Sequence, residues 1–369
     1  MTPAPHAAPA RAGLDVLVVG DGLVGLACAT ALADGGARVG LLGAREPGQA
    51  SQAAAGMLAP GVERATGAAH DFALLARDRY PAYVAALRAR TGIDVALDRN
   101  GVLQVAPSAA RAAELHDSLA GDARWLDPGE LAALEPALAP AVGAVLHPGD
   151  GAVDNRALLA ALQAATVAHP RIAPLGTAAH LEPLGRRAAV RTADGGRHEA
   201  ARVVLAAGAW SATLQGLPRR LPVEPVRGQM LALGATPLRH VVYGVGGYVV
   251  PRADRTLVGS TMERVGFDPR TTDVAVAGLR AAGEAICPAL ADAPELARWA
   301  GLRPVTPDGL PILGRDPEHE ALVYATGHSR NGVLLTPLTA ECVAALVAGA
   351  PPPADLGPFR IERFDAASR

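Results

Sequence analysis

The first ordered pattern along the chain is a short apolar run, Val16-Leu17-Val18-Val19, with no polar residue alternating through it. Such a run predicts a strand buried on both faces, as in a parallel sheet. It passes into Gly20-Asp21-Gly22-Leu23-Val24-Gly25 and then into a helix-like stretch to Ala33, stopped by Gly35-Gly36. Arg38-Val39-Gly40-Leu41-Leu42 supplies a second strand. Two later runs read as buried strands closed by glycine: Arg202 to Leu205, before Gly208, and Leu322 to Thr326, before Gly327. Thr336 to Ala348 has helical apolar spacing, with Pro337 suited to a first turn. Gly101 to Val105 and Leu231 to Leu233 look like strands, and Val274 to Ala285 like a helix.

The strand, glycine turn, helix and second strand form a βαβ unit carrying G-x-G-x-x-G in the setting that motif requires. Gly20 permits the tight turn, and Gly22 lets backbone amides approach a pyrophosphate. Gly25 allows the helix to pack closely, leaving the phosphate at its N-terminus. A dinucleotide site is the expectation; a plain glycine turn is the alternative. The acid that usually ends the second strand and bonds the adenosine ribose is missing. Gly43 stands there, followed by Ala44, Arg45 and Glu46. Glu46 or backbone groups could hold the ribose. Arg45 could face a 2′-phosphate, although an arginine in water is the simpler reading.

Composition narrows the classes. With 369 residues, half of them hydrophobic, the chain can build about two domains. All 34 basic residues are arginine. The absence of lysine excludes Schiff-base chemistry and the lysine of a phosphate-gripping Walker loop. A net charge of −2 and a pI near 6.6 give no field for nucleic acid or an anionic membrane. Aromatic residues, 3% of the chain, are too sparse for base-stacking platforms. Cys28, Cys287 and Cys342 are distant and odd in number, which suits buried thiols in a reducing compartment. Residues 1–13 are an Ala/Pro-rich lead expected to be disordered. Leu14 to Ala33 is interrupted by Asp15, Asp21 and glycines, so no membrane span is expected, and the setting is read as cytoplasmic.

After the second strand comes Gln49-Ala50-Ser51-Gln52-Ala53-Ala54-Ala55-Gly56-Met57-Leu58-Ala59-Pro60. Small side chains there permit close approach of a flat ring or a phosphate, or simply start an Ala-rich helix. Ala53 to Leu58 resembles the flavin loop of glycine oxidases, the thiamine-pathway members of the D-amino-acid oxidase superfamily. Further segments resemble that family in order: Gly247 to Arg252, Val258 to Glu263, Trp299 to Pro304, Thr306 to Gly314 and Ala325 to Gly332. The likeness covers nearly the whole chain from about residue 14.

The resemblance implies a mixed α/β and α+β protein. A Rossmann-like FAD-binding domain would be discontinuous over 14–82, 151–218 and 301–369. A mostly antiparallel-sheet substrate domain would occupy 83–150 and 219–300. It also implies FAD contacts at Gly20, Gly22, Leu23, Val24 and Gly25, and at Gly43 and Ala44. Others fall on Ala50, Ser51, Ala55, Gly56 and Met57, near Ala178, and on His328, Ser329, Arg330, Asn331, Gly332, Val333 and Leu334. Backbone rather than ring is expected to matter at His328. A helix N-terminus aimed at the flavin would favour the negative charge that develops on reduction. Gly301 stands where covalent flavoproteins of the sarcosine-oxidase type carry a cysteine, so the flavin is expected to be non-covalent.

An amino-acid oxidase must fix a carboxylate so that Cα–H points at the flavin, and arginine does this best through its planar fork. Arg303 matches the family's carboxylate arginine; a surface ion pair is the alternative. Tyr248 matches a tyrosine whose hydroxyl reaches the same carboxylate, and Arg330 a residue near the substrate amine. Met262 is expected over the flavin. Gly246-Gly247 suggest a roomier pocket, where sarcosine, N-ethylglycine, D-alanine or D-proline competes with glycine. The resemblance implies hydride transfer from Cα, giving an imine that water or a thiazole-building enzyme consumes. Oxygen, if it is the acceptor, yields peroxide, and a homotetramer is the family's assembly. Some relatives activate oxygen with a lysine, which this chain lacks. A dehydrogenase passing electrons to a quinone or partner and a subunit of a heteromeric amine dehydrogenase remain open at this point. So do an NAD-dependent dehydrogenase, which a bound-flavin absorption band would reject, and a tRNA-modifying flavoenzyme, disfavoured by the missing basic patch.

Overall fold

Val16 to Val19 form the C-terminal part of strand β1 (Leu14–Val19), which is flanked on both sides by parallel partners. A computed structural model describes residues 13–43, 46–63 and 65–368. Ala44, Arg45 and all of the predicted lead except Gly13 lie outside those residues. One parallel partner is β2 (Val39–Leu42), the other the strand Arg197–Leu205. Burial of β1 on both faces explains why its sequence is continuously apolar. Helix α1 (Leu23–Asp34) follows the glycine turn and stops at Gly35.

The sheet continues beyond β2 to Ile172–Pro174 and, on the other side, into the antiparallel strands Arg187–Thr192 and Ala178–Leu184. Leu322–Thr326 pairs in parallel with the end of Arg197–Leu205 and antiparallel with Ile312–Arg315. One face is covered by α1 and by the helices Gly67–Thr91, Asn155–Val167 and Gly332–Ala348, whose shared core includes Cys28, Phe72, Tyr80 and Phe359. The other face buries Leu17, Val19, Val203 and Tyr324.

The last long helix differs from its sequence pattern. It begins at Gly332 rather than Thr336, and Pro337 lies inside it. Proline lacks the N–H that would bond to the Val333 carbonyl. Tyr80, from the helix Gly67–Thr91, donates its buried hydroxyl to that carbonyl instead. A tertiary contact thus removes the cost that would otherwise stop the helix short of Gly332.

A second sheet runs in the order Glu295–Val305, Glu224–Leu233, Thr256–Gly259, Tyr248–Pro251, Val241–Tyr243, Val102–Ala106, Gly143–His147, Arg124–Leu126. Only the pairing of Val241–Tyr243 with Val102–Ala106 is parallel. Helix Asp273–Ile286 covers one face through Val276, Leu279 and Ile286. A small sheet of Met57–Leu58, Gly151–Val153 and Leu97–Asp98 lies apart from both. Two of the expected domain edges, 82/83 and 300/301, fall inside the helix Gly67–Thr91 and the strand Glu295–Val305. The three cysteines are buried and free. Among the described residues, no helix is long and apolar enough to cross a membrane, and no cluster of His, Cys, Asp or Glu is placed to hold a metal.

Candidate active site

A cavity of about 380 Å³ starts at the end of β1 and reaches the strand Glu295–Val305. Its glycine turn is built as the motif requires. Gly20 has φ +123°, and any Cβ there would collide with the Ala206 carbonyl. A Cβ on Gly25 would collide with the carbonyl of Gly20, so the third glycine seats α1 against the turn itself. Gly22 caps α1 without a side chain, and a Cβ on it would crowd the Ser51 hydroxyl at 2.9 Å. That hydroxyl accepts from the Leu23 N–H at 3.0 Å, and Asn155 holds the Ser51 carbonyl at 2.9 Å.

The small-residue segment folds as a single helical turn, Ala50–Ala53, and then the strand Met57–Leu58. Gly56 has φ +76°, and a Cβ there would strike the Val153 carbonyl. Two side chains pin this loop. Arg252 donates to the carbonyls of Ala55 (2.6 Å) and Val153 (3.0 Å), and Trp299 Nε1 donates to the Ala53 carbonyl at 3.0 Å. Both residues stand in family-like segments, but no local pattern marked them as loop anchors.

The expected cation lines the same cavity. Arg303 is part-buried, and desolvation pulls its guanidinium below the ordinary arginine range while neighbouring Tyr248 opposes that shift. It donates to the Ser260 hydroxyl at 2.6 Å and to the Thr261 carbonyl at 3.1 Å. Gly228, on the paired strand Glu224–Leu233, makes room for it, because a Cβ on Gly228 would overlap the guanidinium. Glycine inside a strand is the usual mark of such close approach, and that signal was there to be read. Tyr248 is buried beside Tyr243 with ring centroids 5.3 Å apart, its hydroxyl 3.6 Å from Met230 Sδ.

The third wall is the turn before helix Gly332–Ala348. Ser329 has φ +48°, and its N–H donates to the Pro304 carbonyl at 2.9 Å. His328 is buried, with Nε2 3.2 Å from Thr339 Oγ1, and burial lowers its pKa to about 4. Its ring is therefore neutral at pH 7 and engaged within the fold. Gly332 and Val333 open onto the cavity at a helix end without a side-chain cap. Arg330 lines the cavity while its guanidinium pairs with Glu63 at 3.0 Å.

The cavity also gathers Leu23, Val24, Gly43, Ala50, Ala55, Met57 and Ala178. It does not gather every expected residue. Asn331 caps the helix, and Leu334 points into its core. Met262 is 54% exposed and away from the lining, because it follows the strand Thr256–Gly259 in a segment that turns outward. Gly246 and Gly247 sit in the hairpin before Tyr248–Pro251, also off the lining, so they do not widen the cavity.

A phosphate-type glycine turn, a loop of small residues beside it and the Arg303–Tyr248 pair lining the same cavity define a dinucleotide-dependent enzyme with a cation placed where a small anion could be held. The glycine cradle and the uncapped helix end, both lining one cavity, fit FAD. The chain belongs to the DAO family of FAD-dependent oxidoreductases, whose model matches residues 15–346. It is 36% identical to the glycine oxidase of Geobacillus kaustophilus over 95% of this chain and 97% of that one. The bifunctional protein ThiO/ThiG of Synechocystis is 38% identical over 90% of this chain, which spans about half of that longer protein. The crystal structure of the Geobacillus kaustophilus glycine oxidase superposes with a TM-score of 0.89, covering 95% of this chain and 98% of that one, at 35% identity.

Proposed function

We propose that this enzyme oxidises glycine or a small N-substituted or D-amino acid to its imine, and that the parallel-sheet domain holds FAD while the second sheet holds the substrate. The single observation that carries the reading is the part-buried Arg303, which lines the same cavity as the glycine turn. When bound, FAD supplies the acceptor for two electrons. The chain's own part is binding and orientation. Arg303 takes the substrate carboxylate in a charge-assisted bond, strengthened because the site is enclosed. The Tyr248 hydroxyl adds a second contact to that carboxylate, and the Arg330 carbonyl accepts from the substrate amine. The two anchors leave Cα facing the flavin side. Among the lining residues, no carboxylate or histidine is free to act as a base at Cα: Asp21 and Glu46 lie at the β2 end, and His328 is bonded to Thr339.

The proposed flavin is non-covalent. A cysteine at Gly301 would bring its Cβ into the Cβ of Ala53, so this wall has no room for a tether. The imine product would supply thiazole formation for thiamine, the role suggested by the relatives fused to a second protein. A homo-oligomer in the cytoplasm, with oxygen as acceptor, completes the proposal. The test is a panel of glycine, sarcosine, D-alanine and D-proline, assayed anaerobically for bleaching of the flavin band and then aerobically for peroxide. Bleaching by glycine with stoichiometric peroxide is the expected result. Bleaching without peroxide would assign a dehydrogenase, and no bleaching by any amino acid would overturn the reading.

A further inference from the structure

The second strand of this βαβ unit ends without its usual acid, and the cavity wall shows what stands in its place. An ideal Cβ built on Gly43 runs into the side chain of Asp21, within 2.6 Å of Oδ2 and closer still to Cγ. Asp21 comes from the glycine turn, one residue after Gly20, yet its carboxyl fills the volume into which a side chain at position 43 would project. Gln49 donates its amide to Asp21 Oδ1 at 3.3 Å. Asp21, Gly43 and Gln49 line the same end of the cavity as Thr177 and Ala178.

We propose that Asp21 holds the adenosine ribose of FAD, replacing from the glycine turn the acid that β2 lacks. The inference rests on the flavin reading above. A carboxylate is an acceptor-only group suited to a ribose hydroxyl, and the end of the second strand is where that hydroxyl is bonded in this architecture. A negative charge within a phosphate-binding turn would repel a pyrophosphate if it faced the N-terminus of α1. Directed toward Gly43, it is spared that conflict. The glycine at 43 is then a requirement of the aspartate at 21, since the two positions share one space. Glu46 also borders the cavity but is exposed.

The test is affinity of the apoprotein for FAD and for FAD with 2′-deoxyadenosine, followed by quenching of flavin fluorescence. Asp21→Ala is expected to raise the Kd for FAD by about 10- to 100-fold and to leave the deoxy analogue within about twofold of wild type. Asp21→Asn keeps the shape and is expected to fall between the two, which covers a failure of the alanine variant to fold. Gly43→Glu alone is expected to weaken FAD, and Asp21→Gly with Gly43→Glu to restore it. Equal losses on both ligands, no loss, or a selective loss in Glu46→Ala instead would overturn the assignment. A wild-type apoprotein that binds no FAD would overturn the flavin reading itself.

Discussion

Arg303 illustrates how much one residue can carry. Its guanidinium is enclosed by Gly228, Ser260, Thr261 and Tyr248, so a carboxylate arriving there meets a cation little screened by water. Removing a charge-assisted hydrogen bond of this kind costs about 1.5–3 kcal/mol. Arg303→Ala should therefore lower kcat/KM for glycine by more than about tenfold, with the flavin still bound. An unchanged value in a flavin-replete variant would remove Arg303 from the substrate site. His328 gives a prediction of a different kind. Its folded pKa of about 4 lies below the ordinary 6.5, so between these values the unfolded chain takes up a proton that the fold refuses. The contribution of His328 to stability is full above pH 6.5 and is lost as pH drops toward 4, on the order of 3 kcal/mol. His328→Asn should flatten that slope in urea unfolding followed across pH.

At the scale of elements, the strand pair Glu224–Leu233 and Glu295–Val305 shapes the proposed substrate subsite through a glycine. A Cβ on Gly228 meets the mobile end of Arg303 rather than backbone, so the side chain would yield and the sheet would not. Gly228→Ala should raise KM strongly while shifting Tm little; a large loss of Tm with normal KM would refute this. The helix Gly332–Ala348 depends on its neighbour in the same way. Tyr80→Phe leaves the buried Val333 carbonyl without its donor and should cost about 1–3 kcal/mol in denaturant unfolding. These elements were legible in part. The strands at Val16 to Val19, Arg202 to Leu205 and Leu322 to Thr326 announce themselves because burial on both faces demands an unbroken apolar run. The apolar spacing starts the last helix at Thr336 and misses its first turn, because the compensation for Pro337 comes from Tyr80, 257 positions earlier in the chain.

Across the whole molecule, the cavity exists because two sheets meet at a loop that neither owns. Arg252 reaches from the second sheet to the carbonyls of Ala55 and Val153, and Trp299 from the same sheet to Ala53. Arg252→Ala should free the loop and raise the Kd for FAD in apoprotein titration, with a smaller effect on the KM of the flavin-saturated enzyme. The glycine turn can be picked out from sequence because it is a local pattern with a chemical reason, whereas the flavin loop, Arg303 and Tyr248 are singled out by the family resemblance of their segments. Met262 and Gly246-Gly247 could not be placed that way, since the direction of a hairpin or a post-strand segment depends on what it packs against.

The missing lysine and the all-arginine basic set were determined by sequence alone, and with them the limits on chemistry: no Schiff base, and arginine as the strong cation available to the proposed subsite. The motif and its flanking strands likewise required no coordinates, because periodicity and glycine geometry are local. Tertiary structure decided which groups share a volume. It brought Gly228 under Arg303, Tyr80 to Val333 and Asp21 into the space beside Gly43. Close approach between distant segments leaves no period in a sequence, only an unexplained small residue.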